Sequence, residues 1–460
     1  MDLAAEAPAP LAAQAPTAPA ANAPIAEANL GPWPVWQRIL FRFFFVYLML
    51  QVAPWNWISL IPGAGIILKY PNKAIDWAVH AANDHLFHFY DKLIPVNGSG
   101  DTSWAWTEMW LYLLIALIAC VVWSAVDWKR PDYRRLNYWL RLALRYYVAS
   151  AALSYGIIKI FAQQMLFPST SQLATPLGDL LPMRFSWLFI GYSTPYQMFS
   201  GWMEFTAGIL LLFRPTVTAG LMVATGAFVN VLMINLSYDV PVKLYASHLT
   251  FACLYLLTLD SPRLVNLLVL NRPTPATRDW DRIWHKPWQV WGARIVWALM
   301  IWNSVVAPAN RGYGGYRGLK AAARNGPLRN GVYHVTRYVV NNTEVPAAAG
   351  DTLRWSDVII DTPNAASIGT RDQLFQRRYG RSYFRYKPDT STHMAAVWKT
   401  STIPGDSTFL FNMRFEVPDT STIRLHTVIR GDSIHVDLLR TPRHFQLAER
   451  QFHWLSEYNR

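Results

Sequence analysis

The sequence predicts a polytopic α-helical membrane protein of about seven spans with a C-terminal all-β domain, a barrel or a sandwich. Three observations predict it. Only 15% of the 460 residues are charged, against about 25% in a typical soluble domain. Seven apolar stretches lie near 36–56, 105–126, 141–165, 196–213, 215–237, 243–260 and 289–307, on the length scale needed to cross about 30 Å of hydrocarbon. Beyond residue 307 the helical pattern gives way to short β-branched or alternating runs separated by Asn, Gly, Asp and Pro turns. The 22 tryptophans fit a chain with two membrane interfaces, where indole rings settle at headgroup level.

Residues 1–34 read as a disordered Ala/Pro-rich tail. Its first 30 residues hold no Lys or Arg and no unbroken apolar run, the two features a signal peptide needs. The transmembrane domain then covers 35–306. Basic residues cluster at Arg38 and Arg42, at Lys129, Arg130, Arg134, Arg135 and Arg141, at Arg214, and at Arg263, Arg272, Arg278, Arg282 and Lys286. With a cytoplasmic N-terminus all these places fall on the cytoplasmic side, as the positive-inside bias requires. Seven spans then put the C-terminal domain, 307–460, outside.

Strands are expected at 332–340, 353–360, 382–388, 407–417, 421–430 and 433–440. Six to nine short antiparallel strands in this space predict a barrel or sandwich, with a lipocalin-like barrel as the first expectation. From residue 310 onward there are 21 basic and 13 acidic residues, so this domain carries +8 of the net +13. Its densest run, RRYGRSYFRYK (377–387), is either a solvated strand face or a contact for anionic headgroups. No nucleic-acid signature accompanies the charge. The partner the sequence implies is the lipid bilayer.

Isolated polar groups inside apolar spans are expensive and mark function or a tight pair. In the third span Tyr155, Lys159 and Gln163 are spaced i, i+4, i+8 and share a helix face. Glu204 sits at the centre of SGWMEFTAG in the fourth. The fifth carries Asn230 and Asn235, and the sixth His248. Counted at about 1.5 Å per residue, Lys159, Glu204, Asn230 and His248 fall at a similar depth in the outer half of the bilayer. The convergence predicts a polar pocket, with Asp239 and Lys243 at its mouth. Lys159 and His248 would bond carbonyl oxygens of a quinone-like head, and Glu204 would pair with Lys159 or relay a proton. The alternative is structural: Lys159 and Glu204 neutralise each other, and Asp239 with Lys243 is a surface pair.

The stretch 145–270 resembles the DoxX family of bacterial membrane proteins. The resemblance rests on RYYVASAALSYGIIKI, LGDLLPMRFSWLFIGYSTPYQMFSGWMEFTAGILLLFRPT and INLSYDVPVKLYASH, together with a GSGDT loop at 98–102 and the ending QFHWLSEYNR. It implies a DoxX-like four-helix core at 141–270, a place in the bacterial cytoplasmic (inner) membrane, and a link to redox systems with a membrane redox partner and a quinone. The paired cysteines of thiol-handling relatives are missing: Cys120 and Cys253 lie singly in apolar spans and read as buried structural thiols.

His80, Asp84 and His88 fall on one stripe of 71–92. The spacing makes them a weak metal candidate, and a solvated face of an interfacial helix is the competing reading. Asp101, Thr102 or Ser103 is expected to cap the second span. Trp187, Tyr192 and Tyr196 form either a pocket wall or an interface belt. No Ser-His-Asp motif, phosphate loop or dinucleotide fingerprint is present, and catalytic residues are not assignable. Two function classes follow: a redox-associated membrane subunit with a pocket for a quinone or similar lipophilic ligand, or a non-catalytic scaffold acting through its β domain.

Overall fold

The structure is a computed structural model and describes residues 31–274, 286–322, 326–347, 354–400, 408–450, 452–455 and 457. Most of the Ala/Pro tail, Arg278, Arg282, the first residues of the strands expected at 353–360 and 407–417, and parts of 451–460 lie outside them.

Twelve helices come first: α1 Val35–Val52, α2 Lys69–Ala82, α3 Ser103–Val126, α4 Arg134–Ile160, α5 Thr170–Leu173, α6 Pro182–Tyr192, α7 Thr194–Leu212, α8 Val217–Ser237, α9 Lys243–Thr258, α10 Ser261–Leu264, α11 Pro287–Ile301 and α12 Ala307–Ala322. Each of the seven apolar stretches is thus a helix. Among the described residues four helical runs are long and apolar enough to cross a membrane: Val35–Leu60, Ser103–Val126, Arg214–Ser237 and Pro287–Gly318. A fifth is reached if Lys243–Thr258 and Ser261–Val269, bent by 71°, count as one.

α4 is not among them because its polar and charged side chains lower its mean hydropathy, and its place in the bundle explains how it bears them. It packs against α1, α7, α9 and α12, and Leu140, Leu144, Val148, Ala149, Ala152 and Leu153 have no exposed surface. Its polar groups are met by other helices. Buried Arg145 donates from Nε to the Leu211 carbonyl at 2.6 Å and from Nη2 to the Leu212 carbonyl at 2.8 Å, closing two carbonyls that the end of α7 leaves open. Arg42 on α1 is closed similarly, by Tyr133 Oη, Ser124 Oγ and the Asp127 carbonyl, each at 2.9 Å.

α4 and α7 touch through glycine. A Cβ on Gly156 would stand 2.7 Å from the Phe205 nitrogen, and one on Gly201 would stand 2.7 Å from the Gly156 oxygen. Only hydrogen fits between these backbones, the small-residue contact expected of close membrane helices.

The C-terminal domain is a barrel, which decides between the two β architectures. Its strands are β1 Gly331–Val340, β2 Thr343–Glu344, β3 Trp355–Thr362, β4 Ala365–Thr370, β5 Ser382–Asp389, β6 Met394–Lys399, β7 Phe409–Glu416, β8 Thr422–Ile429 and β9 Asp432–Thr441, with a helix α13, Gln373–Tyr379, between β4 and β5. The order β1-β3-β4-β5-β6-β7-β8-β9 is antiparallel throughout and closes by pairing β9 with β1, while β2 folds back on the end of β1. Closure removes the open edges that would otherwise invite pairing. The six expected strands leave out the two-residue β2 and, more consequentially, β4 and β6. Their cores, AASIGT and MAAVWK, have few β-branched residues, and Ala366 and Ala395 are buried because small side chains fit the barrel interior there.

The barrel's middle is filled by Tyr333, Phe384, Tyr386, Met413, Phe415 and their apolar neighbours. The space left is about 10 Å³, too small for a lipid head. Among the described residues the barrel interior is thus filled rather than ligand-holding, although the up-and-down topology matches a lipocalin-like barrel. An open depression of about 300 Å³ lies at its rim, beside Asp372 and Phe375.

The barrel meets the helical part at α5. Asp361 on β3 accepts from the Ser171 backbone N–H and the Ser171 hydroxyl, both at 2.7 Å. The Ser171 hydroxyl proton is thereby committed, so the Ser367 hydroxyl donates to Ser171 Oγ at 2.7 Å. Arg381 in turn donates from Nε to Ser367 Oγ at 2.7 Å and pairs with Asp357. Ser171 and Ser367 have no exposed surface. Burial pushes the Asp361 carboxyl above its ordinary range, against the pull of the serine bonds and of Arg381. Its charge is thus a cost that docking carries at neutral pH and sheds as the carboxyl protonates. Docking is expected to be firmest in acid and to weaken as pH climbs through the raised value. Asp361→Ala leaves buried donors unpaired and is expected to cost about 1–3 kcal/mol of docking, read as faster hydrogen exchange at 164–175 with barrel exchange unchanged.

Candidate functional site

A cavity of about 380 Å³ lies at the barrel-side end of the bundle, walled by α4, α6, α7, α8 and α9. Its polar lining includes Tyr155, Lys159, Gln164, Ser200, Glu204 and Asn235, and Asn230 stands at its edge. Phe185, Trp187 and Phe189 from α6, with Tyr196, Phe228 and Tyr245, supply aromatic wall.

Lys159 and Glu204 form an ion pair across α4 and α7, directly beside the glycine contact. Their side chains are 7% and 2% exposed. The pair uses one carboxylate oxygen, Glu204 Oε1. The other, Oε2, is buried and has no hydrogen-bond partner, and the same holds for Oε1 of Gln164. A buried carboxylate oxygen left open costs roughly 1–3 kcal/mol or more, and such groups in native proteins call for an explanation.

The segment between α4 and α7 is pinned beside this pair. α4 stops at Ile160, and Ala162 takes a left-handed φ of 52°. Gln197 on α7 then holds both backbone groups of Met165, donating to its carbonyl at 2.5 Å and accepting from its N–H at 3.0 Å. This clamp fixes Gln164 and Met165 in the wall.

Of the residues expected from sequence, Tyr155, Lys159, Glu204, Asn230 and Asn235 line the cavity, and four others do not. Gln163 is displaced by the left-handed turn at Ala162: its side chain lies against Gly315 on α12 and donates to the Phe161 carbonyl at 3.2 Å. Gln164 takes the inward position, because the i, i+8 argument assumes a helix that has already ended. His248 faces α1, bonding Tyr47 Oη at 2.7 Å and the Leu244 carbonyl at 2.7 Å. Tyr245, Ala246 and Leu249 are the α9 residues on the cavity, and at 100° per residue His248 points away from them.

Asp239 and Lys243 are not among the lining residues, although their neighbours Tyr238 and Val242 are. Lys243 Nζ donates to Asp239 at 2.7 Å, but the Asp239 side chain is 82% exposed. Asp101 of the GSGDT loop stands farther from the ammonium, at 3.7 Å. Asp101 accepts from the Lys243 and Leu244 backbone N–H groups at 2.7 and 3.0 Å. It therefore caps α9, some 140 residues away, while Thr102 caps α3 by accepting from the Ala105 N–H at 3.4 Å. Asp101→Ala is expected to lower stability by about 1–2 kcal/mol, and Asp101→Asn, which keeps an acceptor, by less; chemical denaturation in detergent compares them.

Trp187 and Tyr196 belong to the wall, whereas Tyr192 lies tilted against Phe167, ring centroids 5.9 Å apart, and donates to the Arg450 carbonyl at 3.5 Å. The metal candidate is not assembled. His80 bonds the Asp76 carbonyl at 2.9 Å. The chain passes through a π-turn at Asn83–Phe87, and His88 takes a left-handed φ of 52°, so the i, i+4 register with Asp84 is lost. Among the described residues no group of three or more His, Cys, Asp or Glu is placed to hold a metal ion. Cys120 and Cys253 are buried free thiols.

Fold and site together define a mainly helical protein with helices of membrane-spanning length, a polar-headed aromatic cavity and a C-terminal eight-stranded barrel. No family model matches the chain. A similar protein is "Uncharacterized protein YwoB" of Bacillus subtilis (strain 168), 28% identical over 123 residues, which are 27% of this chain and 78% of that protein. No solved structure matches.

Proposed function

We propose that this chain is a DoxX-like integral membrane protein of seven spans that binds a quinone or similar lipid-soluble ligand in its cavity, in a redox-associated role beside a membrane redox partner. The N-terminus lies in the cytoplasm of a bacterial cell and the barrel on the outer face of the cytoplasmic membrane. α4 and α7 complete the seven, their polar side chains being met by neighbouring helices rather than by lipid.

The observation that carries the reading is the open Glu204 Oε2 beside the cavity. A purely structural ion pair closes both carboxylate oxygens, as buried pairs must to recover their desolvation cost. Access from the bilayer supports the same reading: Phe185, Phe189 and Tyr196 line the cavity yet are 42%, 66% and 52% exposed. A scaffold acting through the barrel is the second reading, favoured by the Asp361–Ser171 contact.

Mass spectrometry of molecules that copurify with the detergent-solubilised protein separates the two. The ligand reading expects one defined molecule in stoichiometric amount on the wild type and none on Lys159→Met/Glu204→Met. Bulk lipid alone, in the same proportion on both proteins, contradicts it.

A further inference from the structure

Resting on the reading of the cavity as a ligand site, we infer that its ligand carries a neutral hydroxyl at the head, which the Lys159–Glu204 pair recognises. The two buried lining atoms without partners, Glu204 Oε2 and Gln164 Oε1, are both acceptors. Neither carboxylate oxygen of an ionised Glu204 can donate, however the side chain turns. A head made only of carbonyl or ether oxygens, an oxidised quinone among them, therefore meets Glu204 acceptor to acceptor and leaves it open, so within the quinone reading the form held here is the hydroxyl-bearing quinol.

Charge narrows the choice further. Among the described lining residues, Lys159 and Glu204 are the one basic and the one acidic side chain, and as an ion pair their charges cancel. An ammonium head satisfies Glu204 Oε2 but brings a second positive charge into a site with no further anion to pair it. A hydroxyl adds no charge and matches the pair on both counts. Its O–H donates to Glu204 Oε2, and its oxygen accepts from Lys159 Nζ, whose three donors are not exhausted by the single bond to Oε1. A second hydroxyl on the same ring would have Gln164 Oε1 as its acceptor. The aromatic wall of Phe185, Trp187, Phe189 and Tyr196 suits a ring or unsaturated chain behind the head.

The test uses two probes with one skeleton. The delipidated full-length protein in detergent is titrated with dodecylresorcinol, which has two hydroxyls and no accessible quinone form, and with its dimethyl ether. Binding is read by tryptophan fluorescence, with Trp187 in the wall, and by the shift in Tm. The dihydroxy probe is expected to bind at least about tenfold tighter than the ether. Gln164→Met, which leaves the ion pair intact, is expected to narrow that ratio. Equal binding of the two probes overturns the hydroxyl inference and leaves the cavity as a ligand site. Binding of neither overturns the hydroxyl inference and the ligand reading together.

Discussion

Lys159→Met alone is expected to destabilise the protein by about 3–5 kcal/mol, because it strands the buried Glu204 carboxylate between α4 and α7. Glu204→Met is expected to do comparable damage by stranding the ammonium. Lys159→Met/Glu204→Met removes both charges and is expected to recover most of the loss, since two thioether side chains of similar length fill the same space. The double-mutant cycle, read by unfolding in mixed detergent, thus gives a large coupling energy. The informative part is what the double variant does not recover. It folds, yet it lacks the open Oε2 and the ammonium, so retention of the copurifying molecule is expected to be lost. A double variant that folds and keeps the molecule would show the pair to be a helix lock.

Gly156→Ala is expected to rank with these in severity. The added carbon would stand 2.7 Å from the Phe205 nitrogen and 2.8 Å from the Gly201 oxygen. Both obstacles are backbone, so relief requires α4 and α7 to separate. Overpacking costs about 1–3 kcal/mol where side chains can yield, and this site is expected at or above the top of that range. Separation also stretches the Lys159–Glu204 pair one turn away, so stability and ligand retention fall together. Gly226→Ala on α8 is the control. Its added carbon meets nothing within 4 Å, and it is expected to be neutral or to stabilise by about 0.5–1 kcal/mol through higher helix propensity. Thermal unfolding of the two variants side by side checks both.

Apolar length and β alternation are long-range averages, and they made much of the fold legible. The seven apolar stretches are all helices, and the six expected strands correspond to β1, β3, β5, β7, β8 and β9. β4 and β6 escaped because alanine inside a narrow barrel carries no β signal. Depth counting brought Lys159, Glu204 and Asn230 to one end of the bundle correctly, since rise per residue is nearly constant in a helix. What depth counting cannot supply is azimuth. His248 sits at the right level and faces α1. Asp239 and Lys243 sit near the right level and bond each other outside the lining, with the Lys243 backbone N–H held by Asp101. Gln163 and Gln164 differ by one residue, and the choice between them turns on a left-handed Ala162 that has no sequence mark of its own. The aromatic wall on α6 was visible only as residues with two destinations, because interface belts and pocket walls draw on the same side chains.

The most direct test of the ligand site is a cryo-EM map of the wild-type protein purified from its native membrane into lipid nanodiscs. The account predicts defined density in the cavity, with a head group within hydrogen-bonding distance of Glu204 Oε2 and a tail leaving past Phe189 and Tyr196. A cavity holding only disordered acyl density, with Oε2 closed by a protein side chain, would contradict it.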